Sequence, residues 1–295
     1  MAKNILHMVT PLTHMSPFDV NMAIDAGYDA TIAYTNVALG EVAGLVQDAM
    51  FSRSPRDAVR TGVFIGGKDA FLALDMLDAA AKALLKPFEI SLFADPAGSF
   101  TTAAAMIAVV EKTLREKKNR ELKGVAISIF GATGVVGTAA GVIGALEGAS
   151  VTFVGHDGTG RVGRHAEEVK RRFGVDVAIA DGSTSEKKTA LLASTEVALC
   201  AAKAGVRVLD ASQIANAGNL LAADVNAVPP LGIEGLALDA SATPLGTHGA
   251  LGIGALAIGN VKYRTESSLF KRMAASESPL RFDFRMAFEV ARIFA

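Results

Sequence analysis

Residues 125–137 read VAISIFGATGVVG, and they decide the fold class of this chain. An apolar run typical of a buried strand leads into a glycine turn, and an apolar segment with helical character follows. Gly134 and Gly137 stand in the frame of the G-x-G-x-x-G turn, whereas Ala132 takes the place of its first glycine and Gly131 precedes it. A turn between a strand and a helix predicts that the helix N-terminus binds the pyrophosphate of a dinucleotide. A turn with a structural role alone is the alternative.

The alternation of strands and helices extends on both sides of this stretch. A helix is expected from Pro17, with Ser16 as its N-cap. The expected strands are 5–9, 31–34, 61–65, 90–93, 150–154, 175–180, 197–201, 207–209 and 220–224. Such alternation predicts parallel sheets, so the fold class is α/β. We expect a Rossmann-like nucleotide-binding domain and a smaller α/β substrate domain.

The composition of the 295 residues excludes several classes of protein. Hydrophobic residues make up 51% of the chain, which is typical of a folded protein, and 29 Lys and Arg nearly balance 30 Asp and Glu. This balance predicts no general attraction to nucleic acid or to an anionic membrane. The single cysteine, Cys200, excludes an internal disulfide and a cysteine-rich zinc site. We expect a cytoplasmic protein without a metal, a nucleic-acid partner or a membrane partner.

The other residues expected at the cofactor follow the next strands of the Rossmann-like domain. Asp157 comes about 20 residues after Gly137, where an acid binds the ribose 2′-hydroxyl of NAD, although it also reads as a turn residue. Close to Asp157 in the sequence are His156, Arg161 and Arg164, whose side chains are able to bind the 2′-phosphate of NADP. We therefore expect the protein to use NAD and to tolerate NADP. The complete set of expected cofactor residues is Gly131, Ala132, Thr133, Gly134, Val135, Val136, Gly137, His156, Asp157, Arg161, Ala201, Ala202, Lys203, Asp224 and Asn226.

Five segments together resemble the NAD(P)-dependent methylene-tetrahydromethanopterin dehydrogenases of methylotrophic bacteria. They are HMSPFDVNMAIDAG (14–27), FADPAGSFTTAAAM (93–106), IFGATGVVG (129–137), DVNAVPPLGIEG (224–235) and GALGIGALAIGNVKY (249–263). The resemblance covers essentially the whole chain and is closest to the type that accepts both NAD and NADP. It implies a homo-oligomer with a layout similar to the folate dehydrogenase/cyclohydrolases. The implied parts are a pterin domain (1–105), a Rossmann domain (106–262) and a C-terminal helical segment (263–295) that returns to the pterin domain.

The resemblance also implies an activity in formaldehyde oxidation. The methylene bridge of a tetrahydromethanopterin carrier is oxidised to a methenyl cation, and hydride passes directly to NAD or NADP as cosubstrate. This reaction moves no proton, so it needs positioning and electrostatics rather than an acid–base pair. We expect the substrate between the two domains. The candidate cleft residues are Thr10, His14, Ser16, Phe18, Asp19, Asp95, Pro96, Ser99, Thr101, Thr102 and Lys262, with Lys3 and Lys68 as further possibilities.

Several of these residues have a second interpretation. Asp95 either contacts the pterin or caps the following helix, and His14 is expected to form a loop hydrogen bond rather than relay a proton. Cys200 is expected to be a buried core residue rather than a nucleophile. The same architecture also fits a methylene-tetrahydrofolate dehydrogenase, or a shikimate-type dehydrogenase in which Lys68 or Lys262 pairs with Asp95. A nucleotide-binding sensor without catalytic activity is a further alternative.

Overall fold

The computed structural model describes residues 2–295, which form two compact units. The first unit contains the chain up to Thr101 together with 263–290 and Phe294. The second unit contains 102–262 together with 291–293 and Ala295. The change from the first unit to the second thus falls at residue 101, where the sequence suggested residue 105.

The N-terminal part of the chain alternates strands with helices as the sequence pattern predicts. Ser16 caps the first helix, and Pro17 is its first residue. The elements are β1 (Ile5–Val9), α1 (Pro17–Asp25), β2 (Ala30–Tyr34), α2 (Val42–Phe51), α3 (Pro55–Ala58), β3 (Thr61–Ile65), α4 (Ala70–Ala83), β4 (Ser91–Ala94) and α5 (Ser99–Lys118).

The Rossmann-like part and the C-terminal part follow. The elements are β5 (Ala126–Phe130), α6 (Val135–Leu146), β6 (Ser150–Gly155), α7 (Gly160–Phe173), β7 (Ala178–Asp181), α8 (Ser185–Leu192), β8 (Val197–Cys200), α9 (Ala211–Asn216), β9 (Leu221–Asp224), β10 (Ser241–Leu245), β11 (Ala250–Ile253), α10 (Ala255–Ala275), β12 (Arg281–Phe282) and α11 (Phe284–Phe294).

The first unit contains a parallel sheet in the order β2-β1-β3-β4-β12. Buried phenylalanines pack beside it, and the ring centroids of Phe93 lie 5.4 Å from Phe64 and 5.2 Å from Phe270. The order of the strands reverses between β1 and β3, so the chain leaves these two neighbouring strands in opposite directions. In open α/β sheets, such a switch point opens a crevice at the carboxyl ends of the strands.

The second unit contains a seven-stranded sheet in the order β7-β6-β5-β8-β9-β11-β10. All neighbouring strands are parallel except the last pair, β11 and β10. Without the edge strand β10, the order is that of the doubly wound Rossmann sheet, with its switch point between β5 and β8. The predicted α/β class and the Rossmann-like domain are confirmed.

Three parts of the sequence-based assignment are wrong or incomplete. Residues 207–209 do not form a strand; Leu209 makes one isolated bridge to Ile233, and the amides of Val208 and Leu209 donate to Gly232. The β10–β11 hairpin was not predicted because Pro244 and several glycines obscure the alternation typical of strands. The short elements α9 and β12 were also missed.

Across residues 2–295, the helices are either too short or too polar to cross a lipid bilayer.

Candidate functional site

A cavity of about 510 Å³ in the second unit lies at the carboxyl ends of β5, β6, β7 and β8. We refer to it as the second-unit cavity. It lies at the switch point of the Rossmann sheet, where ligands bind in this class of fold. Its lining residues are Phe130, Gly131, Ala132, Thr133, Gly134, Val154, His156, Arg161, Val162, Gly182, Lys188, Ala201, Ala202, Lys203, Val206, Arg207 and Val208.

The turn after β5 requires glycine at two positions. Gly131 has a φ of +82°, and a β-carbon there would overlap the Ala201 backbone at the end of β8. A β-carbon at Gly137 would overlap the Gly131 carbonyl and the Ala132 backbone. Ala132 itself is buried without such a conflict. The structure therefore explains the departure from the usual motif, because the glycine that permits the tight turn stands one position earlier.

The start of α6 fits a phosphate group. Its N-cap is Gly134, which has no side chain to accept from the amides of the first turn. The Thr138 hydroxyl donates to the Gly134 carbonyl at 2.7 Å and lies 2.8 Å from Nε2 of His165 on α7. This network holds the turn in place while the helix directs free N–H groups and its positive dipole end outward. The residues present are those that a dinucleotide pyrophosphate requires.

Arg161 lies in the first turn of α7, close to two side chains that follow β6. Its Nη2 lies 2.9 Å from Nδ1 of His156, and its Nε lies 3.6 Å from Oδ2 of Asp157. Arg161 and His156 line the second-unit cavity, whereas Asp157 is half exposed and lies outside the lining. In this structure Asp157 therefore contacts Arg161, which lines the cavity, but does not line the cavity itself.

Asp224 and Asn226, both expected at the cofactor, support the loop that follows β9. The Asp224 carboxylate accepts from the amides of Asn226 at 2.9 Å and Ile233 at 3.2 Å. The Asn226 side chain donates to the Pro230 carbonyl and accepts from the Val228 amide. Burial raises the pKa of the Asp224 carboxyl, although the amide hydrogen bonds oppose that shift. Neither residue lines the cavity, and Val135, Val136 and Gly137 also lie outside the lining.

Cys200 is fully buried at the end of β8. Burial, and to a lesser degree the charge of Asp224, raises the pKa of its thiol well above the usual value. The prediction of a core residue rather than a nucleophile is confirmed.

The first unit has a cavity of its own, also of about 510 Å³, which we call the first-unit cavity. It lies at the carboxyl ends of four parallel strands. Thr10 follows β1, Asn36 follows β2, Gly66 follows β3 and Ala97 follows β4. The cavity therefore opens at the β1–β3 switch point. Its lining residues are Thr10, Pro11, Leu12, Thr13, His14, Met15, Ser16, Pro17, Asp19, Asn36, Gly66, Gly67, Lys68 and Ala97.

Five of the expected cleft residues meet in this cavity: Thr10, His14, Ser16, Asp19 and Lys68. Asp19 is almost fully buried and is the one acid among the lining residues that the structure describes. Asn36 and Ala97 are among the lining residues that were not predicted from the sequence. Asn36 lies two residues after the end of β2, so the rule that ligands lie at the carboxyl ends of strands could have identified it.

Asp95 caps helix α5. Its Oδ1 accepts from the Phe100 amide at 2.7 Å and the Thr101 amide at 3.3 Å, and its Oδ2 accepts from the Thr101 hydroxyl at 2.5 Å. Asp95 and Thr101 are both fully buried. Of the two interpretations of Asp95, these contacts support the helix cap.

The remaining cleft candidates lie outside the lining of the first-unit cavity. The Phe18 ring is 45% exposed and packs edge-on against Tyr263, with centroids 6.5 Å apart. Pro96 is buried, and Ser99, Thr102 and Lys262 are half-buried. Lys3 is exposed, and its carbonyl accepts from Arg53.

The fold and the two cavities define a two-unit α/β protein with a Rossmann-type second unit. The family model described as methylene-tetrahydromethanopterin dehydrogenase, N-terminal, matches residues 17–97. The chain is 54% identical to the NAD(P)-dependent methylenetetrahydromethanopterin dehydrogenase of Methylorubrum extorquens, over 99% of this chain and 98% of that protein. The chain therefore belongs to the methylenetetrahydromethanopterin dehydrogenase family, as the five sequence segments predicted.

Solved structures with the same fold are far more distant in sequence. The NAD-dependent malic enzyme of Thermotoga maritima is 12% identical with a TM-score of 0.61, over 98% of this chain and 84% of that chain. The shikimate 5-dehydrogenase of Listeria monocytogenes, solved with shikimate and NAD, is 12% identical with a TM-score of 0.54, over 99% of this chain and 96% of that chain. At this identity the likeness concerns the fold alone.

Proposed function

We propose that this protein oxidises methylene-tetrahydromethanopterin to methenyl-tetrahydromethanopterin, with NAD or NADP as the hydride acceptor. The observation that carries the proposal is the 54% identity over essentially the full length of both chains to the relative of that name. At this identity and coverage, we expect the residues that bind both substrates to be shared. The activity belongs to the oxidation of formaldehyde in one-carbon metabolism.

The second unit is proposed to bind the dinucleotide in the second-unit cavity. The pyrophosphate would lie against the amides that begin α6, and the adenine ribose would lie near the end of β6, beside His156 and Arg161. Ala201, Ala202 and Lys203 follow β8 across the switch point, so they would lie toward the nicotinamide. When bound, the nicotinamide supplies the carbon that accepts hydride.

The first unit is proposed to bind the tetrahydropterin in the first-unit cavity. Thr10, His14, Asn36 and Lys68 offer hydrogen-bond donors and acceptors around it, as a ring system with several polar nitrogens requires. Asp19 belongs to the same lining, and its carboxylate would offset the positive charge that develops on the product. In this proposal Asp19, rather than Asp95, is the acid that contacts the pterin.

The proposed reaction is balanced without a proton donor or acceptor. The methylene C–H bond breaks with both electrons, and a C–H bond forms at C4 of the nicotinamide. The lone pair of the neighbouring ring nitrogen forms a C=N bond, and the charge of the resulting methenyl cation is shared between two nitrogens. The protein therefore has to position the carbons and to keep water away from the cation.

The test is an absorbance assay of the purified protein with two carriers and two nucleotides. We expect methylene-tetrahydromethanopterin to reduce both NAD and NADP, and methylene-tetrahydrofolate to be a poorer substrate. A nucleotide-binding sensor would bind NAD without turnover of either carrier. Reduction with the folate carrier alone would replace the proposed substrate.

We further propose that the protein acts in the cytoplasm as a homo-oligomer. The support for a homo-oligomer is the resemblance of the five sequence segments to the methylene-tetrahydromethanopterin dehydrogenases. Light scattering coupled to gel filtration tests the oligomeric state, because a mass of 30.5 kDa in solution would contradict a homo-oligomer.

A further inference from the structure

Ala97 has an unusual backbone conformation at the first-unit cavity. Its φ is +54° and its ψ is +33°, in the left-handed region that residues with a β-carbon avoid. In residues 2–295, the non-glycine residues with positive φ are Asn36, Ala97, Asn119 and Ala242. Two of these four, Asn36 and Ala97, line the same cavity. Strained residues held at a binding site are candidates for function.

The surrounding turn forces Ala97 into this conformation. The Gly98 amide donates to the Asp95 carbonyl at 3.2 Å, and the Asp95 carboxylate holds the Phe100 amide at 2.7 Å. These bonds fix the residues on both sides of Ala97. Glycine would adopt the same backbone at no steric cost, so the turn itself has no need of a methyl group at this position.

Ala97 differs from its neighbours in solvent exposure. Asp95, Pro96 and Gly98 are buried, whereas Ala97 is exposed and belongs to the lining of the cavity. The methyl group therefore adds little to the core of the first unit. Ala97 is accessible to a molecule that occupies the cavity.

We propose that the Ala97 methyl group is a substrate contact that holds the tetrahydropterin ring system in the first-unit cavity. This inference rests on the proposed function. One methyl group in an apolar contact corresponds to about a four-fold change in binding. Hydride transfer depends on the distance between the methylene carbon and C4 of the nicotinamide. A pterin ring that is held less firmly therefore also lowers the turnover number.

The test compares A97G with A242G in steady-state assays with methylene-tetrahydromethanopterin. Ala242 is a matched control, because it has a φ of +53° and lies in β10 of the second unit, outside both cavities. Both substitutions relieve the same strain, so both should leave the urea midpoint of unfolding unchanged or raised. We expect A97G to lower kcat/KM about 4- to 10-fold, mainly through KM, and A242G to leave it unchanged. A97S keeps the β-carbon and should restore most of the loss.

The outcomes separate this inference from the proposed function. If the unsubstituted protein turns over the carrier and A97G has the same kcat and KM, the contact is refuted and the function stands. If A97G lowers the unfolding midpoint and loses activity in proportion, the methyl group is structural, and the contact is refuted as well. Absence of turnover by the unsubstituted protein would refute the function and, with it, the contact.

Discussion

Two side chains hold Arg161 at the rim of the second-unit cavity. His156 lies 2.9 Å from its guanidinium on one side, and Asp157 forms an ion pair with it at 3.6 Å on the other. With NAD, the Asp157 carboxylate is available to both the arginine and a ribose hydroxyl. With NADP, a 2′-phosphate would compete with Asp157 for the same guanidinium. We therefore propose that the exposed ion pair between Arg161 and Asp157 determines the preference between NAD and NADP.

The substitution Asp157→Ala should shift the preference of the protein toward NADP. It removes an acceptor for the ribose hydroxyl and leaves Arg161 free to bind a 2′-phosphate. A charge-assisted hydrogen bond contributes about 1.5–3 kcal/mol, so we expect the NAD-to-NADP ratio of kcat/KM to fall about ten-fold or more. Asp176→Ala is the matched control, because Asp176 is an exposed acid of the same unit that pairs with Lys170. An unchanged ratio in Asp157→Ala would refute the assignment of this acid.

Among the secondary-structure elements, the cap of α5 lies next to the turn at Ala97, which lines the first-unit cavity. Asp95 binds two amides and one hydroxyl of the residues that start the helix, and all of these groups are buried. A buried donor that loses its acceptor destabilises the fold more than an exposed one, since water cannot replace the lost partner. The cap therefore stabilises the fold and also maintains the strained turn at Ala97.

Asp95→Ala should lower the free energy of unfolding by about 2–4 kcal/mol, which combines the loss of a cap with unsatisfied buried donors. Asp69→Ala removes the exposed cap of α4, where Oδ1 of Asp69 accepts from the Leu72 amide at 2.8 Å, and should cost about 1 kcal/mol. Urea titration of both variants measures the difference. Equal losses of unfolding free energy in the two variants would contradict the larger contribution that we expect from the buried cap.

The elements show how far the sequence determines this fold. Largely apolar runs such as 61–65 predicted buried strands correctly, because a strand with both faces covered has few polar positions. Val208 and Leu209 also favour a strand, yet their amides donate to the Gly232 carbonyl in a loop, which depends on tertiary contacts. Ala97 could not be identified from the sequence, because its backbone conformation is imposed by Asp95 and Gly98. Asn36 could have been found from the strand that precedes it.

At the scale of the whole molecule, pH acts on stability through a histidine outside both cavities. His7 on β1 is half-buried, and Nδ1 of its ring lies 3.1 Å from the Tyr34 hydroxyl. Burial, and then the charge of Arg53, lowers the pKa of His7 below its usual value of about 6.5. As the pH falls below about 6.5, the unfolded chain takes up a proton that the folded chain does not. The folded state should therefore lose stability with acidification.

The urea midpoint of the unsubstituted protein should fall as the pH is lowered from 7.5 to 5.5. His7→Gln removes the titrating group, so the slope of the midpoint against pH should become smaller. Comparing slopes rather than absolute stabilities separates the titration from the loss of the Tyr34 contact. Equal slopes in the two proteins would refute the role of His7.

Each unit has a parallel sheet with a switch point, and each switch point opens a cavity of about 510 Å³. The sequence located the second-unit cavity because its glycine turn is a recognisable motif. It located only part of the first-unit cavity, since that site is assembled from four strand ends without a common motif. We propose that the two cavities bind the two partners of one hydride transfer.

The most direct test of that account uses methylene-tetrahydromethanopterin deuterated at both methylene positions, with NAD and the unsubstituted protein in ordinary water. Proton NMR of the reduced nucleotide should show one deuterium at C4, with the second deuterium retained in the methenyl product. Reduced nucleotide without deuterium would contradict direct hydride transfer, and the absence of reduced nucleotide would contradict the proposed activity.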